Sequence, residues 1–366
     1  MRNKVKLYNQ WGADEPFMYQ RWIRDVLEND YEVIILNGLW EWEFYHRSED
    51  STNIIDLKNQ FEKLVYDRGI RVYAIFGTEG PIAPGVTAHT LPSTTTYIYF
   101  PMFWLYCTII YGGNRYFDWS TPATIKNVKP YEFKIDTLFL SLVNKAHVHR
   151  MEAMDRFAEL GILTNGQTKN GIIEYSWHDQ DNNSPKYPWK HWKTPYRKSL
   201  SDPYAEFLDS YRTTPKEMYT TALNIILEST PRGNFWTEKT FTAITNSKPF
   251  FINGGAYANY NLKGYGFEVF EEIFDYSSIE SIRDYQHRLP QTSKALQRVM
   301  FEHAKKPKAL FDLLKPKTEH NLNRLIEIYN NRLLIPLPLL DLMDRYEVTW
   351  VDLTLQDMAP PHKIIN

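Results

Sequence analysis

The sequence holds a single cysteine, Cys107, in 366 residues. An internal disulfide framework is excluded, and a reducing cytoplasm is the expected location, with Cys107 a buried free thiol. No apolar run reaches the roughly 18–20 residues that a membrane span requires. The longest, around Tyr97–Tyr111, is rich in aromatics and broken by Pro101. The first residues, MRNKVKLYNQWG, have no apolar core of the signal-peptide kind. Charge of either sign is also missing in excess. The net value is −2, too small to attract nucleic acid through a global field. Internal repeats are absent.

What remains is soluble and globular in character: 43% of residues are hydrophobic and 23% charged, as in ordinary folded domains. The length suits two domains of roughly 130–200 residues. Aromatic residues make up 15%; they bury large areas and also stack on sugar rings and bases.

Hydrophobic periodicity predicts an α/β chain. Strands are expected at Lys4–Tyr8, Val33–Leu36 and Arg71–Phe76, and helices at Phe17–Glu28 and Ile54–Tyr66. The run VIIL at 33–36 is apolar enough for a strand covered on both faces. This alternation implies a parallel sheet flanked by helices. Residues 77–130 are irregular, rich in Pro, Gly, Thr and aromatics. The rhythm then resumes with strands at Thr137–Val143, Ile172–Trp177, Ala222–Leu227 and Pro249–Asn253, and helices at Arg150–Leu160 and about Lys239–Asn246. The expected organisation is an α/β domain over residues 1–130, a second over 131–335, and a tail over 336–366 that packs back on the first. Two Rossmann-like domains facing across a cleft would bind a nucleotide at the carboxyl ends of their strands.

Three segments carry chemistry. In NIILESTPRGNFWTEKTFTAITNSKPFFINGG, from Asn224, a buried strand ends at Leu227, a loop carries Glu228 and Arg232, and Thr237 is a natural N-cap. The helix it starts would offer backbone N–H groups and a positive dipole end to a phosphate. Lys239 adds charge and Glu238 an acceptor for ribose hydroxyls. Gly254 and Gly255 would let the backbone approach a ligand closely. In FLSLVNKAHVHR, Asn144, Lys145 and Arg150 follow a strand, and a forked guanidinium serves phosphate well. His147 and His149 are too sparse for a zinc site. In RVYAIFGTEGP, Glu79 stands just past a buried strand, and Glu41 and Glu43 are alternative carboxylates.

These segments resemble the α-1,3-fucosyltransferases and related phage-encoded glycosyltransferases, most closely over Thr237-Glu238-Lys239. The resemblance implies a GT-B-like fold and an inverting, metal-independent glycosyltransferase, with a nucleotide diphosphate sugar as co-substrate and no other cofactor. It assigns ribose contact to Glu238, diphosphate contact to Lys239 and Arg150, and the general base to Glu79, where Gly-Thr-Glu-Gly replaces the family's Gly-Glu-Asn. The acceptor is either a glycan or modified DNA. If the chain is phage-encoded, the location becomes the host cytoplasm.

Two further signals compete. Asp179 and Asp181 have the spacing that holds a divalent cation, though HDQDNNSP reads more simply as a turn. The stretch PKYPWKHWKTPYRK interleaves Lys190, Lys193, Arg197 and Lys198 with Trp192 and other aromatics, a pattern suited to nucleic acid or to a sugar acceptor. It supports an alternative, a phage-type DNA glycosyltransferase acting on hydroxymethylated bases. A non-catalytic nucleotide-binding protein of the same fold is the other alternative.

Overall fold

A computed structural model describes residues 3–9, 18–38, 51–77, 93–102, 105–106, 133–143, 148–162, 171–175, 216–231, 233–348 and 353. The chain divides into two compact units, Met1–Phe103 with Leu334–Asn366, and Trp104–Leu333.

The first unit contains β1 (Asn3–Asn9), α1 (Met18–Glu28), β2 (Tyr31–Gly38), α2 (Ser51–Asp67), β3 (Arg71–Phe76) and β4 (Thr96–Tyr99). All four strands are parallel and stand in the order β1-β2-β3-β4. The first three strands and both helices lie where the hydrophobic pattern puts them. β4 falls inside the stretch expected to be irregular; Ile98 is buried while Tyr97 and Tyr99 stack on Phe76. In β2, Val33 to Leu36 are wholly buried, as a strand covered on both faces requires. The core joins Trp22 of α1 to Phe61 of α2, with ring centroids 5.5 Å apart.

One charged group enters that core. Lys6 of β1 is buried and pairs with Asp25 of α1 at 3.0 Å. Asp25 also accepts hydrogen bonds from the hydroxyls of Tyr8, at 2.6 Å, and Tyr31, at 2.9 Å. Burial alone would raise the Asp25 carboxyl's pKa, but these donors and the lysine hold it below its ordinary value.

The second unit contains β5 (Thr137–Val143), α3 (Val148–Glu159), β6 (Gly171–Tyr175), a 3-10 turn (Lys216–Tyr219), β7 (Thr221–Leu227), α4 (Glu238–Thr245), β8 (Phe250–Asn253), α5 (Ala258–Gly264), α6 (Tyr276–Glu280), α7 (Tyr285–His303) and α8 (Pro307–Asn330). Its parallel sheet has the order β6-β5-β7-β8. Every residue of β7 and β8 is buried. Among the described strands β8 is an edge. The side-chain amide of Asn259 closes it at one point, donating to the Ile252 carbonyl and accepting from the Ile252 N–H, both at 2.8 Å. Asn259 is held in turn by the buried Glu280 carboxylate.

The passage from first to second unit falls at Phe103–Trp104, whereas the sequence reading drew it near residue 130. Tyr106 shows why: its hydroxyl donates to the carbonyls of Ile328 and Leu333 at 3.2 and 2.7 Å, both in the second unit. The chain returns to the first unit at Leu334. There α9 (Leu337–Tyr346) places Tyr346 against Arg71, and the Asn37 side chain donates to the Leu353 carbonyl at 2.9 Å. Among the described residues no helix is long and apolar enough to cross a membrane.

Candidate functional site

In the sheet of the second unit, β6 lies to one side of β5, and β7 and β8 to the other. The connections after β5 and after β7 therefore leave in opposite directions. In open parallel sheets such a reversal opens a crevice at the carboxyl ends of the two strands, the usual place for a ligand. Here those ends lead into His149 and Arg150 in the first turn of α3, and into Glu228 and Ser229 directly after β7.

Glu228 is the hub. It is buried, and its backbone carbonyl accepts from the Arg150 guanidinium Nε at 3.0 Å. His149 Nε2 lies 2.9 Å from the same oxygen. A carbonyl only accepts, so Nε2 carries the proton. Burial, with Arg150 adding to it, lowers the imidazole pKa to about 4, so His149 is neutral near pH 7. The Glu228 side chain reaches α4. Oε1 accepts from the Thr237 N–H at 2.9 Å and from the Thr240 hydroxyl at 2.6 Å, and Oε2 accepts from the Thr237 hydroxyl at 2.6 Å.

Thr237 is the N-cap of α4, its oxygen accepting from the Lys239 N–H at 3.4 Å and from Lys239 Nζ at 3.3 Å. The helix starts here because an extended Thr with a side-chain acceptor satisfies an otherwise orphaned amide. Phe235 and Trp236, directly before it, are core residues. The Trp236 indole N–H donates to the Ala258 carbonyl at 2.9 Å, and its ring meets Tyr265 edge-on.

Gly254 and Gly255 follow β8. A Cβ on Gly255 would lie 1.6 Å from the Gly233 carbonyl oxygen, and one on Gly254 would lie 3.2 Å from Glu228 Cβ. The close approach that Gly255 permits is thus to the loop after β7. Arg288 of α7 fastens the same two loops. Its guanidinium donates to the Gly254 carbonyl at 2.7 Å and the Pro231 carbonyl at 3.2 Å, and also to Ile282 and Arg283. Tyr285 completes the frame, donating to the His149 carbonyl at 2.8 Å and accepting from the Asn253 amide at 3.1 Å.

The structure therefore brings Arg150, Thr237 and Gly254 together around Glu228, with Lys239 tied to Thr237. Arg150 is buried with its Nε committed to the loop carbonyl, which makes it a builder of the site. Glu238 is the first residue of α4; its side chain lies outside the described residues, as do Glu79, Glu41, Glu43, Asn144, Lys145, His147, Asp179 and Asp181. So do Cys107 and the basic stretch with Lys190, Trp192, Lys193, Arg197 and Lys198. Among the described residues no group of three His, Cys, Asp or Glu is placed to hold a metal ion. Sequence reasoning passed over Glu228 as a hub and did not name Arg288 or Tyr285. Glu228 carried one legible signal, an acidic residue at the end of an otherwise apolar strand.

No model of a known protein family matches the chain, and no curated protein matches it in sequence. Chemically, the arrangement is a rigid frame of buried guanidinium groups at the carboxyl ends of β5, β7 and β8, with a lysine at a capped helix start.

Proposed function

We propose that the second unit binds a nucleotide diphosphate sugar at the carboxyl ends of β5 and β7, and that the protein is an inverting, metal-independent glycosyltransferase. The observation that carries the reading is the strand-order reversal at β5 and β7, with Lys239, Arg150 and the capped start of α4 gathered beside it. Lys239 and the positive end of α4 stabilise the diphosphate as it departs, a role that preorganised charge performs well. Arg150 holds the loop and adds a fixed positive charge. Glu238, in the first turn of α4, contacts the ribose. In this GT-B-like division of labour the first unit receives the acceptor and Glu79 removes its proton.

The test is a thermal-shift screen against a panel of nucleotide sugars. A ligand that binds only the folded chain raises the melting temperature, and the donor is expected to raise it in the parent chain and not in a folded Glu238→Ala/Lys239→Ala double variant. An equal shift in both would sink the assignment.

A further inference from the structure

The anion already present at the start of α4 belongs to the protein. Glu228 places a carboxylate against the Thr237 N–H and the hydroxyls of Thr237 and Thr240, as a bound phosphate oxygen would at a helix start. The Thr237 hydroxyl gives its proton to Glu228, so its lone pairs face Lys239, whose Nζ is 3.3 Å away. One hydroxyl thus separates the ammonium from a buried carboxylate.

We infer that Glu228 is an internal competitor of the ligand: through Thr237 it draws on the same Lys239 ammonium as a bound diphosphate and limits how tightly the site holds it. This rests on the donor-site reading above. Like charges a few ångströms apart repel, and in a partly buried site this repulsion changes affinity by on the order of tenfold. The consequence is kinetic. A site that grips the diphosphate with full force retains its product, and an internal anion speeds release.

Inorganic pyrophosphate, titrated by calorimetry against the folded chain and its variants, tests the inference. In Glu228→Gln the amide oxygen keeps the bonds from the Thr237 N–H and Thr240, its NH2 group turns the Thr237 hydroxyl into an acceptor, and the charge is gone. Pyrophosphate should then bind on the order of tenfold more tightly. Damage to the site would weaken binding, so tightening separates a charge effect from a packing effect. If Glu228→Gln fails to fold, Thr237 variants answer the same question. Thr237→Val removes the intervening hydroxyl and lets Lys239 fall onto the carboxylate, so adding Lys239→Gln should cost several-fold less pyrophosphate affinity in Thr237→Val than in the parent, a difference that loss of the cap alone would not produce. Unchanged or weaker binding in folded Glu228→Gln, or an equal cost of Lys239→Gln in both backgrounds, overturns the inference and leaves the donor site standing. A parent chain that binds neither pyrophosphate nor any nucleotide diphosphate overturns both.

Discussion

The two sheets use buried charge in opposite ways. In the first unit the strands run in simple order and the buried Lys6 has a carboxylate partner, Asp25, ringed by tyrosine hydroxyls. In the second the strand order reverses, and Arg288 is held by four backbone carbonyls while the carboxylate of Glu228 binds hydroxyls and an amide. A paired charge inside a core stabilises one packing and offers little to a ligand. Cations held by carbonyls shape loops, as Arg288 and Arg150 do after β7 and β8. Both sheets are parallel and both have carboxyl-end loops, but only in the second does the strand order reverse among the described strands.

The contrast is sharpest where one partner is deleted. Asp25→Ala would leave Lys6 buried without a counter-charge and should cost about 3–5 kcal/mol, read as a lower urea midpoint for the first unit with pyrophosphate binding unchanged. A loss below about 1 kcal/mol would show that water reaches Lys6 and would break the comparison. In the second unit the corresponding weak point is backbone packing. Gly255→Ala drives a methyl group into the Gly233 carbonyl and should cost about 3 kcal/mol. Gly254→Ala meets side chains, Glu228 Cβ at 3.2 Å and Ile252 Cγ2 at 3.3 Å, and should cost about 1 kcal/mol; equal costs would mean the two loops are not interlocked.

Acid should also separate the units. His149 has a folded pKa of about 4 against an ordinary 6.5, so between those values the unfolded chain binds the extra proton. Its contribution is fully present above pH 6.5 and falls as the pH drops toward 4, by about 3 kcal/mol. Urea midpoints across that range should show this loss in the parent and not in His149→Asn. The smallest effect concerns Lys248, buried with its ammonium on the Met218 carbonyl at 2.6 Å and over the rings of Phe133 and Phe311. Burial lowers its pKa well below 10.5. The unfolded chain therefore holds more protons just below 10.5, and stability rises with pH through that window. Lys248→Met should flatten this rise and leave the stability at pH 7 unchanged or higher by up to about 1 kcal/mol. A steep rise that survives the substitution would assign it to another group.

The α/β rhythm was legible because buried parallel strands are continuous apolar runs. Thr137–Val143 and Arg71–Phe76 match the observed strands residue for residue, and Thr237 is the N-cap that its position before Glu238 and Lys239 suggested. The helices beyond β8 went unassigned. α7 and α8 carry Pro290 and Pro316 inside them, residues that normally interrupt a helical pattern. At the site, the N-cap was readable because it depends on neighbours in sequence. The hub was not: Glu228 meets His149 and Arg150 from some 80 positions away, and Arg288 joins Gly254 and Pro231 across 34 and 57. Local pattern contains no term for such pairings. Nor does it reveal that the missing side chain of Gly255 accommodates Gly233.

Asn259 has a consequence for how the molecule behaves in a crowd. An unfinished sheet border invites another chain to add a strand, the first step toward swapped dimers and fibres. By offering Ile252 both a donor and an acceptor from one side chain, Asn259 imitates a single residue of a neighbouring strand. With the amide anchored by Glu280, a visiting segment would have to evict it before forming its first pair. The four-residue β8 is thereby a border closed at Ile252 by a side chain.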